Sequence, residues 1–301
     1  MKKATLMPLW SAQAQFAGYY VARDKGIYAT HGIALEILPA GPGRSPVQAL
    51  RDGVADFAVL WLTTALQHRC AGLPLLNLAQ LVQRSSMLLV ARKSSGIRTV
   101  ADIAGKKVGL WGADLSIPPL ALFARQGITV REIRQSETIN LFLRGGIDVA
   151  SAMWYNEYHT ILNSGLNPDE LVVFALHEYG LNFPEDGIYA LESTVQRDPA
   201  LADAFVRASE EGWRYAFANP EEALDILIAA RKQAHLPANR MHQRWMLNRM
   251  RDLALPAGSE DRFGVLRERD YTAVLSELAD AGNGGSCPDY RSFVRSADAP
   301  P

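Results

Sequence analysis

Two hydrophobic rhythms alternate along the first half of the chain. Thr5 to Trp10 is an apolar run of strand length, Ala34 to Leu38 (Ala-Leu-Glu-Ile-Leu) alternates with period two, and Phe57 to Leu60 has the short, uniformly apolar pattern of a buried strand. Between them, Phe16 to Lys25 reads as a helix stopped by Gly26, and Val47 to Asp52 as a second, with Ser45 as N-cap and Pro46 in the first turn. This βαβα rhythm predicts an α/β sheet with helices on its faces. Leu76 to Gln83 and Ser86 to Arg92 continue as strands, Thr99 to Gly105 as a short helix with a glycine stop, and Lys107 to Trp111 as a strand, after which Gly112 opens a loop into a helix around Leu120. The segment from Leu141 to Asp148 repeats the pattern of Leu50 to Asp56: a helix ends at glycine and an aspartate precedes a buried strand. Two lobes of similar topology follow from this, although the similarity is too short for an internal repeat.

From Asp198 the pattern becomes helical. Asp198-Pro199 and Asn219-Pro220 are both N-cap plus proline starts, and Glu222 supplies the second with the glutamate of a capping box. Leu201, Phe205, Ala208 and Gly212 share one helical face. The tail, at Asn283-Gly-Gly-Ser and Asp298-Ala-Pro-Pro, reads as loose.

Composition narrows the class. At 301 residues the chain exceeds the ~250 residues beyond which chains divide into domains. Hydrophobic residues at 48% and charged residues at 21% describe a globular protein. A formal net charge of -1 offers no broad basic field for nucleic acid or anionic lipid, which leaves a small-molecule partner. There is no run of about 20 apolar residues, so no direct membrane insertion is expected. Met1-Lys2-Lys3 and the apolar residues after it have the outline of a signal peptide, with Ala12-Gln13-Ala14 mimicking a cleavage site. Pro8 interrupts the run, however, and cleavage there would remove the first strand, so the segment reads as strand. The expected location is cytoplasmic if Met1 is the native start, and periplasmic or membrane-associated if a signal segment is missing from this chain. Cys70 and Cys287 read as two free thiols.

Catalytic signatures are mostly absent: there is no phosphate-binding glycine loop with lysine, no Gly-x-Ser-x-Gly, no His-Glu-x-x-His and no Cys-x-x-Cys. The six histidines lack metal-ligand spacing, and His235 and His242, near Arg240 and Arg244, read as a solvated helical face. No metal and no cofactor are expected. The informative feature is the meeting of aromatic and short polar residues just after predicted strands. It occurs at Trp10 to Tyr19, which includes Gln15 and Phe16, at Trp61 to Thr64, at Trp111-Gly112-Ala-Asp114, and at Met153 to Tyr158, which includes Tyr155, Asn156 and Glu157. In open α/β sheets ligands sit beyond the carboxyl ends of strands. Aromatic faces there suit a planar ring, and amide, hydroxyl and carboxylate groups suit its edge. Tryptophans also fill cores, and Glu157 serves equally as a helix start or salt-bridge partner. The loop Gly41-Pro-Gly-Arg-Ser45 can hold an anion on its N–H groups, but a plain turn fits it better.

Several segments carry a family resemblance: Gln13 to Ala22, Gly26-Ile-Tyr28, Gly32-Ile33, Thr99 to Gly109, Tyr155-Asn-Glu-Tyr158, Tyr179 to Tyr189 and Phe205 to Tyr215. Together they resemble the thiamine-pyrimidine-precursor family, related to sulfonate-type substrate-binding proteins of ABC transporters. That family includes formylaminopyrimidine-binding proteins and the fungal hydroxymethylpyrimidine phosphate synthase. The resemblance implies a type II periplasmic-binding-protein fold, two α/β lobes with a ligand cleft between them. Lobe one would span 1–92 plus 188–301 and lobe two 93–187. It matches Trp10 to a ligand-facing tryptophan, Gly109 to Gly112 to a ligand-side loop, and Glu157 to a site position. With the clusters above, it gives as ligand-binding residues Trp10, Gln15, Phe16, Tyr19, Trp61, Thr64, Trp111, Gly112, Tyr155, Asn156, Glu157, Asn182 and Asp186. The fungal enzyme acts on pyridoxal phosphate through its own lysine and histidine. Leu60 and Thr64 stand at those positions here, and Asn182-Phe-Pro-Glu185 stands where it has a cysteine-rich run. Neither Leu60 nor Thr64 can do that chemistry. The resemblance therefore implies a non-enzymatic solute-binding protein of an ABC-type importer, with a permease as partner. A synthase-like enzyme and the ligand-sensing domain of a regulator are the alternatives.

Overall fold

The computed structural model describes residues 1–258, 262–282 and 286–295, and these divide into two compact α/β units. One holds Met1–Gln83, Pro184–Thr272 and 286–295; the other holds Arg84–Phe183 and 273–282. Apart from Ser286, the tail segments expected to be loose lie outside the described residues.

The first unit opens with β1 (Lys2–Met7), α1 (Ala17–Asp24), α2 (Ile27–Thr30), β2 (Ile33–Ile37), α3 (Pro46–Arg51), β3 (Phe57–Trp61), α4 (Leu62–Cys70) and β4 (Leu75–Gln80). The second contains β5 (Met87–Arg92), β6 (Lys107–Leu110), α5 (Ile117–Arg125), β7 (Arg131–Arg134), α6 (Asn140–Leu143), β8 (Val149–Met153), α7 (Glu157–Asn163) and β9 (Leu171–Ala175). The chain then returns as β10 (Asp186–Leu191), α8 (Glu192–Arg197), α9 (Pro199–Ala218), α10 (Pro220–Gln233), α11 (Arg240–Ala254), α12 (Glu268–Asp280) and α13 (Tyr290–Phe293).

The sheets run β2-β1-β3-β10-β4 and β7-β6-β8-β5-β9. In each, three neighbouring strands are parallel, the fourth runs antiparallel to them, and the fifth pairs antiparallel with the fourth. The shared topology extends to the repeated glycine–aspartate pattern. Gly53 (φ 66°) and Gly145 (φ 72°) turn the chain out of α3 and α6 in a left-handed conformation that glycine adopts freely. Asp56 then accepts from Thr5 N–H at 3.0 Å, and Asp148 from Lys107 N–H at 2.8 Å. Each carboxylate thus satisfies a backbone donor on the neighbouring parallel strand.

The unit boundaries differ from the expected 92/93 and 187/188. β5 pairs with β8 on one side and β9 on the other, so it belongs to the second sheet, while β10 is in the first sheet from Asp186 onward. The chain changes unit at Gln83/Arg84 and Phe183/Pro184.

All five residues of β3 are buried, as a central strand covered on both faces requires. Phe57 stacks on Phe205 of α9 at 4.0 Å between ring centroids, and Tyr28 stacks on the same ring at 5.4 Å. The Tyr28 hydroxyl pairs with Ser209 at 2.7 Å. Two glycines allow α1 and α9 to touch. A Cβ at Gly212 would sit 2.4 Å from Gly18 O, and one at Gly18 would sit 2.3 Å from the Trp213 ring.

The caps at Ser45 and Asp198 form as expected, accepting from Gln48 and Leu201 N–H. The capping box at Asn219 does not form. Its amide donates to Tyr215 O, and Glu222 instead accepts from Lys25 Nζ at 2.7 Å and Tyr215 OH at 2.6 Å, stronger partners than a helix-end N–H. His242 lies on α11, but His235 lies in the turn before it with φ 53°, so the two do not share a helical face.

The free-thiol expectation is overturned. Cys70 and Cys287 form a disulfide with Cα atoms 4.3 Å apart. The C-terminal segment returns along β4, where Val294 bridges Asn77 and Arg295 N–H donates to Asn77 O at 2.9 Å. Phe293 is wholly buried and Arg69 donates to Ser292 O. This return brings Cys287 to the end of α4.

Candidate functional site

In the first sheet, β1 and β3 end on the edge from which antiparallel β10 starts. Asp186 lies directly opposite Trp61 in the β10–β3 register. After β1 the chain passes the half-buried Trp10 and enters a 3-10 turn, Ala14–Phe16, with Gln13 extended before it. Gln243 accepts from Ala14 N–H at 2.7 Å, and Arg231 donates to Ala12 O, so α10 and α11 fix this turn from behind.

The result is a buried relay. Gln13 Nε2 donates to Gln15 Oε1 at 2.5 Å, and Gln15 Nε2 donates to both oxygens of Asp186, at 3.1 and 2.9 Å. Asp186 is 3% exposed, and among the described residues no lysine, arginine or histidine pairs with it. Burial pushes its pKa up to about 7, opposed by the donors of Gln15 and Trp61. The Trp61 indole N–H acts on the carboxylate from nearby but completes no hydrogen bond, and the buried Tyr19 hydroxyl also lacks a partner. Tyr19 packs edge-on against Trp213 at 5.8 Å, and burial raises its pKa well above the usual phenol value.

The second unit repeats the arrangement at the ends of β6 and β8. Glu157 is the first residue of α7, and its carboxylate turns back over the strand end. It accepts from Met153 N–H at 3.0 Å and from the Asn156 side-chain amide at 2.7 Å. Burial raises its pKa and these donors lower it. Trp111, half-buried, donates its indole N–H to Ser136 O at 3.1 Å. Gly112 lies under the Arg134 guanidinium, where a Cβ would meet Nη1 at 2.5 Å. Inside the sheet, Ser151 donates to Gly109 O at 2.8 Å and Gln135 Nε2 to Ser151 O at 2.7 Å, which links β8 to β6 and to the residue after β7.

Of the residues expected at a site, Gln15, Trp61 and Asp186 meet directly, and Trp10 stands on the same edge of the first sheet. Trp111, Gly112, Asn156 and Glu157 stand on the equivalent edge of the second, with Tyr155 buried beside them. Phe16 is wholly buried and Tyr19 is 1% exposed, so both serve the core of the first unit, because they fall on the inward face of the turn and of α1. Thr64 is half-buried in the first turn of α4. Asn182 accepts from Ser85 N–H at 2.9 Å and so ties together the two ends of the Arg84–Phe183 segment within the second unit. The loop at Gly41 is a plain turn, with Arg44 donating to Pro39 O. Gln13 joins the site beyond the expected residues, and the Gln-x-Gln spacing is its signal in the sequence. Gln135 and Gln243 carry no sequence signal of this kind.

Among the described residues no histidine, cysteine, aspartate or glutamate cluster suits a metal, and no helix is long and apolar enough to cross a membrane. Pyridoxal phosphate, the cofactor implied by the fungal relative, does not fit: Leu60 is wholly buried and has no amine, and Thr64 has no ring nitrogen.

This architecture is that of the periplasmic binding proteins. The aliphatic sulphonate binding protein SsuA of Escherichia coli superposes with a TM-score of 0.72 at 16% identity, covering 98% of this chain and 92% of that one. More narrowly, the chain belongs to the family described as NMT1/THI5 like, which it matches over residues 13–223. Its relatives include the riboflavin-binding protein RibY of Chloroflexus aurantiacus, 28% identical over 78% of this chain and 68% of RibY. They also include the 4-amino-5-hydroxymethyl-2-methylpyrimidine phosphate synthase of Legionella pneumophila, 26% identical over 78% of this chain and 76% of that protein.

Proposed function

We propose that this protein is the solute-binding component of an ABC-type importer and takes up a small planar heterocycle, such as a thiamine pyrimidine precursor, by closure of its two lobes. The observation that carries the reading is the Gln13–Gln15–Asp186 relay at the strand ends of the first sheet. A buried carboxylate with no cation beside it is costly unless a ligand uses it. Trp10 supplies a ring face at the strand ends of the first unit, and the second unit carries Trp111, Asn156 and Glu157 at its own strand ends. Closure on ligand is a population shift toward the form that binds better, which the permease then reads. The Cys70–Cys287 disulfide favours an oxidising compartment, and hence export.

A thermal-shift panel of pyrimidines, flavins, pyridoxal phosphate and alkanesulfonates tests this. Ligand at 100 times its dissociation constant adds ~2.7 kcal/mol of stability. A shift with a heterocycle, lost in Trp10→Ala and Glu157→Ala, is expected. Unchanged affinity in both variants refutes the site, and silence across the panel refutes the heterocycle. The name of the Legionella relative favours a synthase-like enzyme instead. Imine absorbance with borohydride trapping after adding pyridoxal phosphate decides between them, and no adduct is expected because Leu60 replaces the lysine.

A further inference from the structure

Resting on the solute-binding reading, we propose that Asp186 and Trp61 are the paired acceptor and donor that read the N–H edge of an uncharged heterocycle, and that they turn away sulfonates and phosphates. The two residues are directly opposed across the β10–β3 ladder, so their side chains emerge on one face of the sheet. A carboxylate offers about four lone-pair sites, and the single Gln15 amide group uses two of those on Asp186. The Trp61 indole N–H is buried without a partner, which is uncommon for a native donor and marks it as one that a ligand completes. An acceptor beside a donor is the complement of a ring N–H beside a carbonyl, or of an amino group beside a ring nitrogen. Flavins carry the first edge and aminopyrimidines the second.

Charge supplies the exclusion. The groups facing Asp186 are Gln15 from the 3-10 turn, Trp61 from β3, Tyr19 from α1 and Tyr189 from β10; none is a cation. Above about pH 7 an anionic ligand would meet a buried carboxylate with no cation beside it. An N–H donor instead stabilises the carboxylate form, so binding releases the proton that Asp186 holds below about pH 7. Affinity for such a ligand rises from pH 6 to pH 8.

Titration calorimetry on the full chain tests this with riboflavin, 3-methylriboflavin, 4-amino-5-hydroxymethyl-2-methylpyrimidine, its phosphate, and ethanesulfonate. The expected result is binding of a ligand with a free N–H edge. Blocking that edge by methylation, Trp61→Phe or Asp186→Asn weakens binding at least tenfold each, and the rise with pH disappears in Asp186→Asn. The methylated ligand probes wild-type protein, so the test survives if a variant misfolds. If a heterocycle binds but is indifferent to methylation, to both variants and to pH, the edge pairing is wrong and solute binding stands. Preference for ethanesulfonate or the phosphate overturns it in the same way. No binding by any of these compounds removes the heterocycle reading as well.

Discussion

Replacing Asp186 with asparagine separates the charge of the buried carboxyl from its shape, and the effect on stability has a definite sign. The folded-state pKa, about 7, lies above the ordinary 3.8. Between those values the folded state binds a proton that the unfolded chain releases, so this group makes stability fall as pH rises. At ~1.4 kcal/mol per pKa unit, the charged carboxylate costs the fold about 4 kcal/mol above pH 7. About 3 kcal/mol of that appears between pH 5 and pH 8. Asparagine does not titrate, but it loses one of the two Gln15 contacts, at about 1 kcal/mol. Asp186→Asn is therefore expected to be more stable than wild type at pH 8 by about 3 kcal/mol, with the advantage gone near pH 5.

Urea unfolding followed by circular dichroism from pH 5 to 8.5 measures this directly. Parallel stability curves for the two proteins, or a wild type that gains on the variant as pH rises, would refute the argument. Total stabilities are only 5–15 kcal/mol, so a charge this costly is a large concession. A variant that gains stability while losing ligand affinity is the pattern expected of a residue kept for function.

Three further outcomes test the fold. Reduction of Cys70–Cys287, which are 217 residues apart, or Cys70→Ala is expected to cost about 2–5 kcal/mol in urea unfolding; no change would mean the C-terminal return holds without it. Gly212→Ala forces a methyl against Gly18 O and Ala22, and is expected to destabilise by roughly 1–3 kcal/mol; calorimetric melting showing an unchanged midpoint would contradict the close α1–α9 contact. Asp148→Ala leaves Lys107 N–H without its acceptor and is expected to cost about 1–2 kcal/mol, read as faster amide exchange at Lys107.

What could be read from the sequence was local. The alternation of strands and helices follows from burial on two faces, and the Gly–Asp pattern before β3 and β8 marks one device used in both sheets, because each aspartate serves the strand beside its own. Relationships set by the return of the chain could not be read this way. β10 inserts between β3 and β4 only after the chain has passed through Arg84–Phe183, and this insertion alone decides that Asp186 faces Trp61 and meets Gln15 across 171 residues. The pairing of Cys70 with Cys287 depends in the same way on the last described segment docking against β4.

Asp186, buried, and Glu157, half-buried, show why choosing residues is easier than ranking them. Glu157 stood out in the sequence because a carboxylate among aromatics after an apolar strand is costly to bury. In the structure that cost is largely met by its own neighbourhood, since the Met153 N–H and the Asn156 amide both donate to it. Asp186, in a less conspicuous stretch, is served by one glutamine amide and lies beside an indole N–H that completes no hydrogen bond. Burial raises the pKa of both, but only at Asp186 is a nearby buried donor left without a partner. The uncompensated group, rather than the buried one, is where a ligand has free energy to gain. On this reasoning Asp186→Asn should cost more ligand affinity than Glu157→Gln, and the reverse order in calorimetry would move the centre of recognition to the second unit.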